Sequence, residues 1–319
     1  MFALGACRET RFPTQSEVQD FESQPNSRPL AEMKDSWTQA HQALQTVFNQ
    51  IVIEDSGYSQ VFYNALISSD PHFRESASGA LKTYLDFVSG LNPRELLGPS
   101  PNEVVRNFKK AFWINFYNAC VIDTVAKNFF AIQSDSEGIN GLNIWDRPLC
   151  AIGGGRLSLN QIENGVLRNA ESRKLISPSD LRALPPSLKT DTDVFEHRIH
   201  FALNCASGSC PRLSRQVFSD TNIEAQLAEL ESEFWTSGRE AVSPHRLQAR
   251  VSGDKLLINP IAIDWYRVDF PKDLVEYLRP FHPELRPDSL GEFTYNWSPN
   301  LASEANESAG FEYQESWPF

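Results

Sequence analysis

The apolar residues in the first half of the chain recur every three or four positions, with polar residues between them. This spacing places the apolar side chains on one face of a helix. Breaks that contain proline or glycine interrupt the pattern at 91–93 and 98–101. The pattern predicts helices over 36–52, 80–88 and 102–130, and a further helix over 222–235.

The second half contains short apolar runs bounded by turn residues, which is typical of strands. The run from Ile199 to Leu203 reads IHFAL and is followed by serine and glycine, so it predicts a short buried strand that carries His200. Residues 243–258 predict a hairpin with its turn at 252–254. The glycines at 153–155 predict a turn or hairpin, because they lack the strand and helix context of a phosphate-binding loop.

These elements predict an α+β fold in which a helical N-terminal layer packs on a small antiparallel sheet that carries His200. The chain has 319 residues, of which 41 % are hydrophobic, so it can bury a large core. Residues 31–301 have the composition of a single domain. Residues 1–30 and 302–319 are mostly polar, and we expect a flexible tether and a flexible acidic tail there.

The segment from Arg198 to Leu213, RIHFALNCASGSCPRL, combines one histidine with two cysteines. A thiol becomes a nucleophile when a neighbouring base or cation lowers its pKa, and a histidine can serve as that base. His200, Cys205 and Cys210 are therefore candidates for cysteine-based catalysis. The same residues also suit a packed core, with His200 bonded to backbone carbonyls and the cysteines buried or joined in a disulfide.

Pairing His200 with Cys205 requires a sharp turn of the chain between them. In a fully extended strand the two side chains would lie on opposite faces and about 16 Å apart. The chain must therefore reverse direction directly after Asn204. The small turn residues at 206–209 allow such a reversal.

Polar residues in three other segments are candidates for the same site. Glu163 lies beside the apolar face of a predicted helix capped by Ser158 and can reach the edge of the core, although a solvated carboxylate is the commoner outcome. Asn115 and Asn118 share one face of an apolar helix, where they can brace the fold or contact substrate. Trp265 can form the wall of a cleft or pack in the core.

Five separated motifs occur in an order that is similar to one known family. They read AFWINFYNACVI from Ala111, LSLNQIENGVLR from Leu157, RIHFALNCASGSCPRL from Arg198, IAIDWYRVDF from Ile261 and YNWSPNL from Tyr295. Together they resemble the family known as the domain of unknown function 547. The resemblance extends over roughly 37–301.

The resemblance implies a papain-like or transglutaminase-like core with a Glu-His-Cys triad. Carried over residue by residue, the triad falls on Glu163, His200 and Cys205, with His200 as the base, Glu163 as its orienting carboxylate and Cys205 as the nucleophile. The family has histidine after this glutamate, whereas the chain has Asn164. Some members have serine at the position of Cys210 while they keep the equivalent of Cys205, so Cys205 is the preferred nucleophile and Cys210 the alternative.

The function that follows is a cysteine-dependent hydrolase or acyl transferase, such as a peptidase, whose substrate is a peptide or another amide or ester. Two alternatives stay open. One is a non-catalytic binding module on the cell surface that keeps a papain-like shell for recognition. The other is a thiol redox protein that uses Cys205 and Cys210, which is disfavoured because redox motifs have the spacing Cys-x-x-Cys.

Composition excludes several other classes of protein. The formal net charge of −12 argues against nucleic acid as a partner, because binding to it depends on neutralising phosphates. The five cysteines form no Cys-x-x-Cys pair and no His/Cys ligand spacing, so neither a metal nor a cofactor is expected. No apolar run approaches the roughly 18 residues of a membrane-spanning helix.

The N-terminus supplies the prediction for cellular location. The residues Leu4-Gly5-Ala6-Cys7 resemble a bacterial lipobox, in which the cysteine is lipidated after cleavage. The six residues before Cys7 are too few for an export signal, so either the true start lies upstream or the match is accidental. We expect an exported lipoprotein that is anchored to a membrane through Cys7, in the periplasm or on the cell surface, with a cytoplasmic protein as the alternative. The sequence indicates no oligomeric state.

Overall fold

The structure is a computed structural model that describes residues 34–302, except for 56–57, 136–137, 189–191, 237–248, 253 and 287. The predicted tether with Cys7, nearly all of the predicted tail and part of the predicted hairpin lie outside these residues. Within the part of the chain that is described, no helix is both long enough and apolar enough to cross a membrane.

The described chain is 51 % helical and has short sheets, which confirms the α+β class. The α-helices are α1 Lys34–Ile51, α2 Asn64–Ile67, α3 Gly79–Ser89, α4 Pro93–Leu97, α5 Glu103–Lys127, α6 Phe129–Ser134, α7 Ile223–Thr236 and α8 Leu274–Leu278. A short helix Pro71–Phe73 and a π-helical turn Arg74–Ser78 lead into α3. Further π-helical segments are Gln161–Leu167 and Ile261–Trp265, and 3₁₀ helices are Asn140–Leu142, Pro186–Leu188, His197–Phe201 and Arg267–Asp269.

The strands form three small, separate sheets. Two are antiparallel hairpins, β1 Val52–Asp55 with β2 Tyr58–Val61 and β3 Cys150–Ile152 with β4 Gly155–Leu157. In the third sheet β5 Ala249–Ser252 pairs antiparallel with β6 Lys255–Ile258, and β6 pairs in parallel with β7 Leu290–Glu292. Two of these hairpins close at the places where the sequence predicted turns. The last pairs before the turns are Ile152 with Gly155 and Ser252 with Lys255.

Helix α5 is the centre of the core. Every residue from 109 to 122 is buried, so the helix needs neighbours on all sides. It contacts α2, α3, α6, α7 and the Gln161–Leu167 helix. Two lysines are buried with it, and both have partners: Lys109 donates to the carbonyl of Gly98 at 2.7 Å, and Lys110 forms an ion pair with Glu224 at 2.9 Å.

Side-chain caps fix where the helices around the candidate site begin. The Oδ1 atom of Asn102 accepts from the backbone N–H of Val105 at 3.0 Å and caps α5. Ser158 and Gln161 exchange two hydrogen bonds, each side chain accepting from the other residue's backbone N–H at 2.9 and 3.0 Å. This reciprocal capping box starts the helical segment that carries Glu163 and confirms Ser158 as its cap.

The strand predicted at 199–203 is wrong, because this part of the chain forms the 3₁₀ helix His197–Phe201. Ile199, His200 and Phe201 are only 0 %, 3 % and 1 % exposed, so burial does not alternate along the segment. A short, continuously apolar run fits a buried strand or a buried helical turn equally well, and packing decides between them. The segment packs on α7, and no strand carries His200 among the described residues.

The turn between β3 and β4 gives a test of the fold. Gly153 has a φ of +56°, and a Cβ atom there would lie 2.4 Å from Cδ of Pro93. We expect Gly153→Ala to lower the free energy of unfolding by about 2 kcal/mol or more, because a left-handed backbone and a rigid ring both oppose the methyl group. Urea denaturation measures this change.

Gly98→Ala is the matched control for Gly153→Ala. Gly98 has a φ of −74°, and nothing lies within 4 Å of the position that a Cβ atom would take there. We expect its unfolding free energy to change by less than about 0.5 kcal/mol. Equal losses in the two variants would contradict the turn geometry.

Candidate active site

The predicted catalytic residues meet at one cavity of about 390 Å³. Glu163, His200, Cys205 and Cys210 all contribute to its lining. Six aromatic side chains form much of the remaining wall, namely Tyr117, Trp145, Trp265, Tyr266, Tyr295 and Trp297. A larger groove of about 590 Å³ beside α3 and α6 has neither histidine nor cysteine in its lining, so the smaller cavity is the candidate site.

Two buried asparagines of α5 hold the loops around this cavity. Asn118 donates to the carbonyl of Ala202 and accepts from the backbone N–H of Asn204, both at 2.9 Å. Asn115 holds Phe218 in the same two-sided way, at 2.8 and 3.1 Å. Both asparagines are at most 1 % exposed, so of the two roles expected for them they fill the bracing one.

The chain reverses directly after Asn204, as a pairing of His200 with Cys205 requires. The Oδ1 atom of Asn204 accepts from the N–H of Ala206 at 3.0 Å, and its Nδ2 atom donates to the carbonyl of Pro211 at 2.7 Å. Ala206 adopts a φ of +62°, which is uncommon for a residue with a Cβ atom. The side chain of Asn204 therefore closes the loop that presents Cys205.

The sulfur of Cys205 lies in a group of hydroxyls. Its Sγ atom is 3.1 Å from Oγ of Ser207 and 3.1 Å from the hydroxyl of Tyr295. Ser207 in turn donates to the hydroxyl of Tyr295 at 2.8 Å. Tyr295 is then free to direct its own proton at the sulfur, which favours a thiolate there.

The pKa of Cys205 falls to about 7 in this setting. Burial raises the pKa of the thiol, but hydrogen bonds with Cys210, Ser207 and Tyr295 lower it and outweigh the burial. A large fraction of the sulfur is therefore ionised at neutral pH. Cys205 is also partly exposed, whereas Cys120, Cys150 and Cys210 are buried.

Cys210 is held as a structural thiol. Its sulfur accepts from the backbone N–H of Cys205 at 2.6 Å, and its own S–H group faces the carbonyl of Leu203 at 3.6 Å. Burial raises the pKa of Cys210 well above the ordinary value, and the neighbouring Cys205 thiolate raises it further. Both cysteines are free thiols, so the disulfide considered from the sequence is not formed. Of the two cysteines, Cys205 is the more exposed and the more readily ionised.

The orienting carboxylate of His200 is Asp269, which corrects the expectation for Glu163. The Nε2 atom of His200 lies 2.8 Å from Oδ2 of Asp269. The ring stacks on Tyr266 at a centroid distance of 4.3 Å and an angle of 14°. Among the described residues no hydrogen bond joins His200 to Glu163 or to Cys205. Burial lowers the pKa of His200, against the opposing effect of Asp269, so the imidazole is neutral at pH 7.

Asp269 is an ionised carboxylate with three partners. Besides His200, it forms an ion pair with Nε of Arg168 and one with Arg173 at 2.7 Å. Burial raises the pKa of Asp269, but the hydrogen bonds from His200 and Arg168 hold it well below the ordinary range. A permanent acceptor at Nε2 fixes the proton on that nitrogen and leaves the Nδ1 lone pair of His200 available as a base.

Glu163 also lies at the cavity, but its hydrogen-bond partners are tyrosine hydroxyls and not the imidazole of His200. The hydroxyl of Tyr117 donates to its Oε2 atom at 3.3 Å, and Tyr266 also hydrogen-bonds to it. The next residue, Asn164, accepts from Arg168 at 2.6 Å and so supports the arginine that holds Asp269. Asn164, which replaces the histidine expected from the family resemblance, therefore helps to position Arg168.

Three residues of the site were not predicted from the sequence, although all three lie within the motifs that resemble the family. Asp269 is the last polar residue of IAIDWYRVDF, Tyr295 begins YNWSPNL, and Ser207 follows Cys205 by two positions. A carboxylate within an apolar and aromatic segment was the available signal for Asp269, because such a group needs buried partners. The hydroxyls of Tyr295 and Ser207 carried no comparable signal.

The fold and the cavity define an α+β protein in which a thiol, an imidazole and a carboxylate line one cleft, and a second carboxylate is bonded to the imidazole. The family described as "Protein of unknown function, DUF547" matches residues 101–235. This match covers less than half of the chain and includes α5, Glu163, His200 and Cys205. No curated protein and no solved structure matches the chain.

The ionisation of Cys205 can be measured through its alkylation by iodoacetamide. Only the thiolate reacts, so the rate should rise with pH through a midpoint near 7 and level off above it. Tyr295→Phe removes a donor to the sulfur and should raise the midpoint by about one pH unit. Peptide mapping by mass spectrometry assigns the modified cysteine.

Tyr84→Phe is the control for this experiment, because the hydroxyl of Tyr84 is buried and has no hydrogen-bond partner among the described residues. Its midpoint should equal that of the unmodified protein. A midpoint of about 8.5 in the unmodified protein, which is the value of an ordinary cysteine, would refute the activated thiol.

Proposed function

We propose that the protein is a cysteine-dependent hydrolase or acyl transferase that acts on an amide or ester. Cys205 is the nucleophile, His200 the base and Asp269 the residue that positions His200. The observation that supports this proposal most is the thiol with a pKa of about 7 at the same cavity as a buried His–Asp pair. Perturbed titratable groups that share a cleft are a common mark of catalytic sites.

In the first half of the reaction the Cys205 thiolate attacks the carbonyl carbon of the substrate. A C–S bond forms, and the carbonyl electron pair moves to oxygen. The C–N or C–O bond then breaks, and the leaving group takes the proton that His200 received from the thiol. Hydrogen bonds between catalytic groups are often long before substrate binds, so this step does not require the hydrogen bond between His200 and Cys205 that is absent among the described residues.

In the second half His200 takes a proton from water or from an acceptor amine, which then attacks the thioester. The new bond to the acyl carbon replaces the C–S bond, and the Cys205 thiolate returns. His200 is suited to this role because it is neutral at pH 7 and Asp269 stabilises the imidazolium as it forms. Water gives a hydrolase, and an amine gives an acyl transferase.

We also propose a relation to papain-like or transglutaminase-like cores. The support is chemical: a thiol and an imidazole from one segment and a carboxylate from another meet at or beside an open cleft. Such constellations recur on unrelated folds, so the chemistry by itself defines roles and not ancestry.

p-Nitrophenyl acetate is a suitable probe, because it acylates a reactive thiol and releases a coloured product. We expect continued turnover, and we expect Cys205→Ser to abolish it while Cys210→Ser keeps most of it. His200→Gln should slow deacylation by about 10²–10⁴-fold, because the acyl-enzyme then lacks its base. Mass spectrometry should detect an acetyl group on Cys205 in that variant.

The same assay distinguishes catalysis from the rival function, a binding module that retains a reactive thiol. A binding module would be acylated once on Cys205 and would then stop. A single stoichiometric burst without turnover, in both the unmodified protein and His200→Gln, would refute the proposed catalysis and favour the binding module.

We propose in addition that the protein is exported and anchored to a membrane through a lipid on Cys7, on the basis of the lipobox-like residues before it. Expressed in bacteria from a start codon placed upstream with its export signal, the protein should partition into membranes. Cys7→Ser should move it to the soluble fraction. Equal membrane retention of both forms would exclude the lipid anchor.

A further inference from the structure

Glu163 has no role in the proposed reaction, although it is a buried carboxylate at the cavity. It is 8 % exposed and belongs to the cavity lining. Its hydrogen-bond partners are the neutral hydroxyls of Tyr117 and Tyr266. No ion pair of Glu163 occurs among the described residues, so its negative charge has no cation in direct contact.

The cavity supplies no positive charge of its own. Its lining, as far as the structure describes the chain, contains neither lysine nor arginine. Arg168 lies against the Tyr266 ring, with its Cζ atom 4.6 Å from the ring centroid, but its side chain is 5 % exposed and is bound to Asp269 and Asn164. Cys205 adds further negative charge whenever its thiol is ionised. The charged groups of the lining itself are therefore negative, although the adjacent group of Asp269, Arg168 and Arg173 carries one net positive charge.

The walls of the cavity add a second attraction for cations. Trp265 and Trp297 are stacked with their ring centroids 5.6 Å apart, and Tyr295 lies 4.8 Å from Trp265 and 4.6 Å from Trp297. Trp265 is 41 % exposed, so part of this cluster is accessible to a ligand. The faces of such rings attract a cation, tryptophan most strongly.

We propose that Glu163 and the aromatic wall form a subsite for a primary ammonium group, such as that of a lysine side chain or an alkylamine. The ammonium N–H groups donate to the Glu163 carboxylate, and the alkyl stem lies along the aromatic rings. A neutral ligand would leave the carboxylate without a counter-charge in a partly desolvated site. A quaternary ammonium would satisfy the rings but has no N–H group to donate to Glu163.

The role of this amine as the acyl acceptor rests on the proposed function, because an amine that attacks the Cys205 thioester must lie beside it. Binding of the amine does not depend on the thiol. The subsite deepens the proposed function by naming a substrate class: primary amines that bind as ammonium ions and, after loss of one proton to Glu163, receive the acyl group.

Binding is measured with n-butylammonium chloride, and 1-butanol is the neutral comparison. The Cys205→Ser protein is used in calorimetric or NMR titrations, so that thiol chemistry cannot contribute. We expect the dissociation constant of n-butylammonium to be at least about 10-fold lower than that of 1-butanol. Glu163→Gln in the same background should remove this preference and leave 1-butanol binding unchanged, which also shows that the variant is folded.

Glu284→Gln is the matched control, because Glu284 is an exposed carboxylate outside the cavity lining and loses the same charge. It should keep the preference for n-butylammonium. Equal affinity for n-butylammonium and 1-butanol in the Cys205→Ser protein would overturn the subsite, as would a preference that survives Glu163→Gln.

The outcome of these titrations is separate from that of the ester assay. Turnover of p-nitrophenyl acetate without any preference for n-butylammonium over 1-butanol would support the proposed function and refute the ammonium subsite. A Glu163-dependent preference without turnover would show an amine-binding module and remove the acyl transfer.

Discussion

The buried carboxylate of Asp269 is the interaction on which the rest of the site depends. It joins the 3₁₀ helix that carries His200 to the arginines that follow the Glu163 helix, through contacts with Arg168 and Arg173. A buried charge is costly unless it is paired and hydrogen-bonded, and each of these partners meets part of that need. The same contacts therefore fix the position of three segments and the protonation state of His200.

The site is built on short helical segments and loops. Asparagine side chains make the hydrogen bonds to backbone groups that a continuous sheet would otherwise make. Asn118 and Asn204 satisfy backbone groups on both sides of Cys205, and Asn115 does the same at Phe218. A buried backbone group without a partner costs free energy comparable to a lost hydrogen bond. These asparagines fix the loop conformation because few other conformations pair every buried group.

The sequence predicted those parts of the fold that depend on local patterns. The amphipathic spacing of α1, α3, α5 and α7, the Ser158 cap and the glycine turn at 153–154 are properties of short stretches, and each was found. The segment around His200 was predicted wrongly, because consecutive burial on several sides erases the periodicity that separates strand from helix. The partner of His200 was also missed: Asp269 is 69 positions away, and only tertiary packing brings it near.

The electrostatics of the cavity link the nucleophile to the ligand that we propose. Neutral hydroxyls lower the pKa of the Cys205 thiol, so ionisation of the thiol by His200, which is neutral at pH 7, costs little free energy. The same ionisation adds a second negative charge to a cavity that already contains Glu163. By Coulomb's law, a cation bound there favours the thiolate over the thiol, and the thiolate in turn favours the cation. Binding of an amine substrate and formation of the nucleophile would then reinforce each other, because both change the same local charge.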